Sequence, residues 1–523
     1  MFREFFISRS VIGTCGAAAM LFLAACDTQP GTEESSAAPA AATAPATATA
    51  PANTNAHNMR LVGTNDLQAR SAYQPVVHAY GDRRILFVGH HEGRAVNPNT
   101  GEVEENGMSI VDVTDPSAPV YLRHVPANGD ASIRTTYGSL ASGSKHIQIC
   151  DGSVLPNGDP NRVYLTRTNG LMSYEMFDVT DPAEPQLLST IAETGVSGRE
   201  VSNRGNRETH KSTWDCETGI GYFNGTPEGW RVTRLLQTFD LNDPDQPRHI
   251  RDYGLPGWEP GAEGPLPDVA ISGLHQPTVV GNRIYVAYGS GNSGTVQILD
   301  RDKFLNGNPE AEDPYAPTPE NLLYPQIARL DMPSFWGAHT AKPIYGIEIP
   351  DYADDGELNF RDILIVISEG GGVRCPRSRD VVFLIDITQE DKPFPISTYQ
   401  VEEASGDFCS KGGRFGPHGM NDTYHPGFEK SLFVIAYFNA GIRAVDYRNP
   451  FQPVEVGYYV PEPTENTTEL CATVDGSRIC DSEIQTNNVD IDDRGYVYAV
   501  DRSSTGLHIV ELTGEAREIV GLD

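Results

Sequence analysis

An apolar strand that ends in an acid and runs into a proline-bracketed turn recurs seven times, and that recurrence restricts the chain to a repeat architecture. The clear copies are Ser109-Ile110-Val111-Asp112 through Pro119, Met176-Phe177-Asp178 through Pro185, and Thr238-Phe239-Asp240 through Pro247. Degenerate copies are Gln297-Ile298-Leu299-Asp300, Leu384-Ile385-Asp386 through Pro393, Ala444-Val445-Asp446 through Pro453, and Ile509-Val510-Glu511. Consecutive acids lie roughly 60–66 residues apart, with one longer gap before Asp386. In the turn, Asp folds back on its own backbone and Pro presets φ. The second Pro opens the next strand, which must be an outer edge because Pro cannot donate to a ladder.

Before each acid-terminated strand lies an aromatic and β-branched run, such as Ile85-Leu86-Phe87-Val88 or Arg283-Ile284-Tyr285-Val286, followed by a Gly-containing hairpin. With an upstream strand and the post-Pro strand, each unit has four. Seven such units predict an all-β fold, a seven-bladed β-propeller of four-stranded antiparallel sheets over residues 58–523. Two segments compete to close the ring: Arg60-Leu61-Val62-Gly63 as the outer strand of the last blade, or Arg517-Glu518-Ile519-Val520.

Ser109-Ile110-Val111-Asp112-Val113-Thr114-Asp115-Pro116 resembles the repeat of the LVIVD-repeat propeller proteins. The resemblance implies a propeller and a cell-envelope location, and little chemistry. The copy at Gln297-Ile298-Leu299-Asp300 departs from it, having no Asp-Pro turn.

Residues 1–25 have the features of a signal peptide: Arg3 and Arg9, then an apolar stretch, then Leu23-Ala24-Ala25-Cys26, which resembles a lipobox. Cys26 is the expected lipidation site and mature N-terminus. Residues 26–57 are expected to form a disordered Ala/Pro/Thr tether, too poor in apolar surface to offset its ordering entropy. The implied place is the bacterial cell envelope, lipid-anchored through Cys26, on the periplasmic face or the cell surface. No later stretch is apolar enough to span a bilayer.

The formal charge of −32 argues against a nucleic-acid partner, because a phosphate backbone needs Lys and Arg to release its counterions. Six Cys remain after the export segment, and an even number in an oxidising compartment favours disulfides. Pairing neighbours gives Cys150–Cys216, Cys375–Cys409 and Cys471–Cys480.

The innermost strand of nearly every unit begins at a His: His78, His146, His210, His275, His339 and His418, with Asn487-Asn488 in the last unit. Innermost strands line a propeller's channel, so equivalent positions converge on its axis. Imidazole ligates iron, copper and zinc. His210, His275, His339 and His418 are therefore the candidate metal ligands, with Fe or Cu favoured over Zn. Their contexts are tight, as in Gly416-Pro417-His418-Gly419, where small neighbours let the backbone approach the axis. Possible additional channel residues are His78, His90, His91, His146, Glu92 and Glu208. Glu92, Glu208, Asp215 and Glu369 are candidate orienting acids, and Trp214 and Trp336 candidate pocket walls. The competing reading is structural, with each blade's His making one repeated hydrogen bond. His57, His124, His249 and His508 are read as solvated or packed. The axial His set is similar in architecture, without a shared linear motif, to carotenoid cleavage oxygenases and to selenium-binding-protein-type methanethiol oxidases.

Gly289 through Gly294 fits a dinucleotide-binding spacing but joins two strands, so no nucleotide cofactor is expected. Asp354-Asp355-Gly356-Glu357 misses the EF-hand spacing and is read as a loop. Two functions follow as expectations: a metal-dependent oxidase or oxygenase acting on an unknown small molecule, or a non-catalytic propeller binding a protein or glycan.

Overall fold

The acid that ends each repeat turns the chain. Asp112, Asp178, Asp240, Asp386 and Asp446 each accept a hydrogen bond from the backbone N–H two residues on, at 2.9, 2.9, 3.0, 2.8 and 3.0 Å. In the fourth copy Asp300 instead caps a short helix, Arg301–Asn306, accepting from the Lys303 N–H at 3.0 Å. That substitution explains why the Asp-Pro turn is missing there. The computed structural model describes residues 55–522 apart from 128–133, 136–137, 140–142, 192–208, 226, 233, 267–272, 290–292, 334, 350–357, 377–379 and 424. The expected signal peptide, Cys26, most of the tether, Glu208 and the Asp354–Glu357 loop lie outside the described residues.

The described chain forms seven four-stranded antiparallel sheets, a seven-bladed β-propeller. The first five blades follow in order over residues 72–126, 147–191, 212–253, 274–331 and 340–399. Blade six has Leu432–Ala436, Ile442–Asp446 and Val454–Tyr459, and its outermost strand is Ala56–His57. These two residues were expected in the tether; main-chain pairing with Tyr458 and Tyr459 places them in the propeller instead. The axial segment of blade six, expected as a strand from His418, touches its sheet at the Met420–Ile435 bridge.

Blade seven takes Thr486–Ile491, Val497–Asp501 and Leu507–Leu512 from the C-terminal part of the chain and Met59–Asn65 from the N-terminal part. The first of the two closure candidates is thus the one used. Arg517–Ile519 lie in a helix, Gly514–Ile519. In all seven blades a β-bulge interrupts pairing of the acid-terminated strand with its neighbour on the outer side, from Ile110/Val111 in blade one to Leu61/Gly63 in blade seven. A bulge at a constant register adds the same local twist to each blade. Among the described residues, seven apolar clusters fill the gaps between neighbouring blades.

Cys150–Cys216, Cys375–Cys409 and Cys471–Cys480 are disulfide-bonded, the pairs obtained by joining neighbouring cysteines. The first ties blade two to blade three across 66 residues. Chain-entropy arithmetic for a loop of that length gives about 4 kcal/mol. The double variant C150S/C216S is expected to melt several degrees lower than wild type in a thermal scan, and an unchanged Tm would contradict a stabilising role.

Candidate functional site in the axial channel

A second bulge, on the axial side, aims the site. In blade four Leu274 pairs with Tyr288 and Gln276 with Ala287, leaving His275 as the extra residue. Blades one and seven repeat the pattern, leaving Tyr73 and Asn487. A bulged residue is released from the sheet's alternation, so its side chain can be turned toward the axis. Pro75 and Pro277 follow two residues later in each case, and the sequences Ala72-Tyr73-Gln74-Pro75 and Leu274-His275-Gln276-Pro277 correspond.

His210, His275, His339 and His418 form one continuous chain of rings. Neighbouring ring centroids are 4.5, 3.6 and 4.7 Å apart along that order. His210 Nε2 lies 2.8 Å from His275 Nε2 and 3.1 Å from the Tyr73 hydroxyl. Tyr73 also sets its ring edge-on to His91 and His418, at 4.9 and 5.8 Å. His339 is fully buried, and His275 and His418 nearly so, while His210 keeps some exposure.

Two backbone carbonyls set the tautomers. His275 Nδ1 lies 2.8 Å from the His339 carbonyl oxygen, and His418 Nδ1 lies 2.6 Å from that of Asn487. A carbonyl only accepts, so each Nδ1 carries the proton and each Nε2 presents a lone pair. His339 Nε2 and His91 Nε2 are buried and have no hydrogen-bond partner among the described residues. Burial holds all four axial imidazoles below their ordinary proton affinity, His339 at about 3. They are neutral, the form that ligates a metal.

Glu369 stands 3.8 Å from His418 Nε2 and accepts from Arg414 at 2.6 Å. Burial alone would raise its carboxyl, but the Arg414 guanidinium holds it well below the usual range. Gly416 and Gly370 bring two loops together here, and a Cβ on either would meet the other's Cα at 2.6 Å. Gly419 likewise leaves room for Asn488, whose side chain a Cβ would meet at 2.5 Å.

Beneath this layer lies a polar layer around Asp422. Gln74 and Gln276 donate to its carboxylate at 2.5 and 3.1 Å, with His146 at 3.6 Å and Lys211 at 3.9 Å. Burial opposes its charge, but Lys211 and these donors keep it ionised. His146 therefore belongs one layer away from the axial imidazoles rather than among them. His78 does not join the cluster either: it sits five residues along the blade-one strand from Tyr73 and contacts Asp151 at 3.0 Å. In blade one the bulged residue Tyr73, five residues before His78, takes the axial place.

His90 is buried against Ser109 at 2.8 Å, apart from the axial rings. Glu92 pairs with Lys145 at 3.3 Å and lies 4.0 Å from His91. Asp215 pairs with Arg301 elsewhere. Trp214 and Trp336 pack between blades. His124 and His508 are packed, and His249 is half-exposed beside Asp252. Among the described residues, no group of three or more His, Cys, Asp or Glu stands in the geometry of a formed metal site. The rings pack edge-on or tilted against one another, so ligation requires side-chain rotation within the cluster.

No protein-family model and no curated protein matches the chain. Among solved structures it is similar to a chain of the crystal structure of a nidogen/laminin complex, at 10% identity, 64% of this chain and 81% of that chain covered, and a TM-score of 0.30.

Proposed function

We propose that the chain is a lipid-anchored envelope protein of the LVIVD-repeat type whose channel holds an Fe or Cu ion and carries out an oxidase or oxygenase reaction. The observation that carries this reading is the pair of Nδ1–H···O=C contacts at His275 and His418. A metal-ligating His usually commits its other ring nitrogen to a carbonyl or carboxylate, which fixes tautomer and orientation. Here His275 and His418 are so committed, His339 Nε2 has no partner among the described residues, and His210 Nε2 faces His275 Nε2 at 2.8 Å. That spacing is near the separation of two nitrogens bound about 2.0–2.1 Å from one ion.

Bound there, an ion supplies Lewis acidity and a position for O₂ or substrate. The chain's own residues do the rest. Buried blades keep bulk water from the rings. The Tyr73 hydroxyl is placed to donate a hydrogen bond beside His210, and Glu369 offsets positive charge beside His418. The repeated-structural-His reading accounts for the Nδ1 contacts of His275 and His418, each to the carbonyl of the next blade's axial residue, but not for the direct contact between the His210 and His275 Nε2 atoms.

Elemental analysis of the purified mature protein tests the proposal. About one Fe or Cu per chain is expected, with loss of more than tenfold in H275A/H339A. Stoichiometric absence of Fe, Cu and Zn after growth in metal-supplemented medium would sink it, and would favour the non-catalytic reading with a protein or glycan partner.

A further inference from the structure

We propose that Arg502, whose guanidinium lies near the Phe438 ring, binds the carboxylate of a small organic acid and presents it to the axial histidines. The guanidinium carbons of Arg414 and Arg502 lie 4.2 and 5.9 Å from the centroid of the buried Phe438 ring, and His418 packs on that ring at 5.0 Å. Arg414 is already used: it donates to Glu369 and to the Gly370 carbonyl. Arg502 is different. Its main chain is bonded to Gln485 and Ser71, but its part-buried guanidinium makes no hydrogen bond or ion pair among the described residues.

The acids nearby are committed elsewhere. Glu369 is held by Arg414 and Glu92 by Lys145. Asp501, next in the chain, turns inward to accept from the Gln485 and Thr505 N–H groups. Among the described residues, Glu369 and Glu92 are thus taken by Arg414 and Lys145, the imidazoles between them are neutral, and Arg502 has no carboxylate of its own. Burial and the like charge of Arg414 both work against the Arg502 cation. Leaving a partly desolvated guanidinium without an acceptor is costly, and a planar fork of donors is best matched by a carboxylate. His91 Nε2, buried and without a partner among the described residues, adds a second polar group beside Tyr73. Phe438 supplies an apolar wall for the body of the acid.

As an assignment of substrate class this rests on the axial site being catalytic; as an anion site it does not. The test is the anion-induced change in Tm of the mature chain, before and after stripping with a chelator. Acetate, benzoate and phosphate are compared with chloride at equal ionic strength, and benzyl alcohol serves as the uncharged counterpart of benzoate. The carboxylates are expected to raise Tm by about 2 °C or more at saturation, in stripped protein as well, with chloride and benzyl alcohol inert. R502Q should lose the rise while melting no lower than wild type without anion, because the unmatched charge is gone. R502K should recover part of the response. A rise that persists in full in R502Q, a rise with phosphate alone, or no rise beyond chloride overturns the proposal. Failure of the metal reading leaves a different trace: no bound ion, but an intact carboxylate response.

Discussion

A chain that starts at Asp66 is expected to melt at least roughly 5 °C below one that starts at Asn55, and to aggregate on heating. The missing stretch supplies the outer strand of blade seven and the two-residue outer strand of blade six. Met59 is buried in the cluster between blades six and seven, Leu61 packs against it, and Val62 packs between blades seven and one. Burying three such side chains contributes about 5 kcal/mol in all. Removal also leaves the backbone of Leu507–Leu512 as an open edge, a template for intermolecular pairing. Gly63 offers a milder probe. At the bulge of this strand, a Cβ on Gly63 would meet the Pro116 carbonyl oxygen of blade one at 2.1 Å. Gly63→Val should weaken the same closure without shortening the chain. If the shortened chain melts with the longer one, the ring is not held by its N-terminal strand.

Stability should fall steeply when the pH drops below about 6.5, the ordinary value for histidine. Burial depresses His90, His124, His146 and His508, with His124 at about 3 and the last two at about 4. The unfolded chain therefore takes up protons that the folded chain refuses, and stability is lost as pH falls through that window. Two carboxyls act in the opposite sense. Burial pushes Asp490 up to about 7 and Asp501 to about 6, so the folded state binds their protons first. The balance for these six groups is roughly two protons, or about 2–3 kcal/mol lost between about pH 6 and about pH 5. The axial imidazoles add to the loss with the same sign. Chemical denaturation midpoints across that interval measure it. A protein equally stable at both ends would mean that these imidazoles are protonated in the folded state.

The axial site was legible in the sequence at four positions and misread at two. His210, His275, His339 and His418 meet because each sits where its blade's innermost segment reaches the axis. His78 and His146 share the residue type and the interval but not the register. Bulges in blades one, four and seven free Tyr73, His275 and Asn487 toward the axis, whereas His78 lies five residues beyond Tyr73 and His146 stands 3.6 Å from Asp422. A signal for Tyr73 was present in the shared Gln-Pro that follows both Tyr73 and His275. Asp422 had no such signal. Its role depends on Gln74, His146, Lys211 and Gln276 arriving from four different blades.

The repeated Asp turns and alternating apolar strands determined, unaided, the number of blades and the four-stranded plan they share. Each of those features is set by contacts within one repeat or between successive ones. Which segment closes the ring, which imidazoles touch, and which cation is left unmatched were decided only in three dimensions. They depend on side chains more than one blade apart in sequence sharing the narrow space at the axis, where a shift of one residue changes the neighbour.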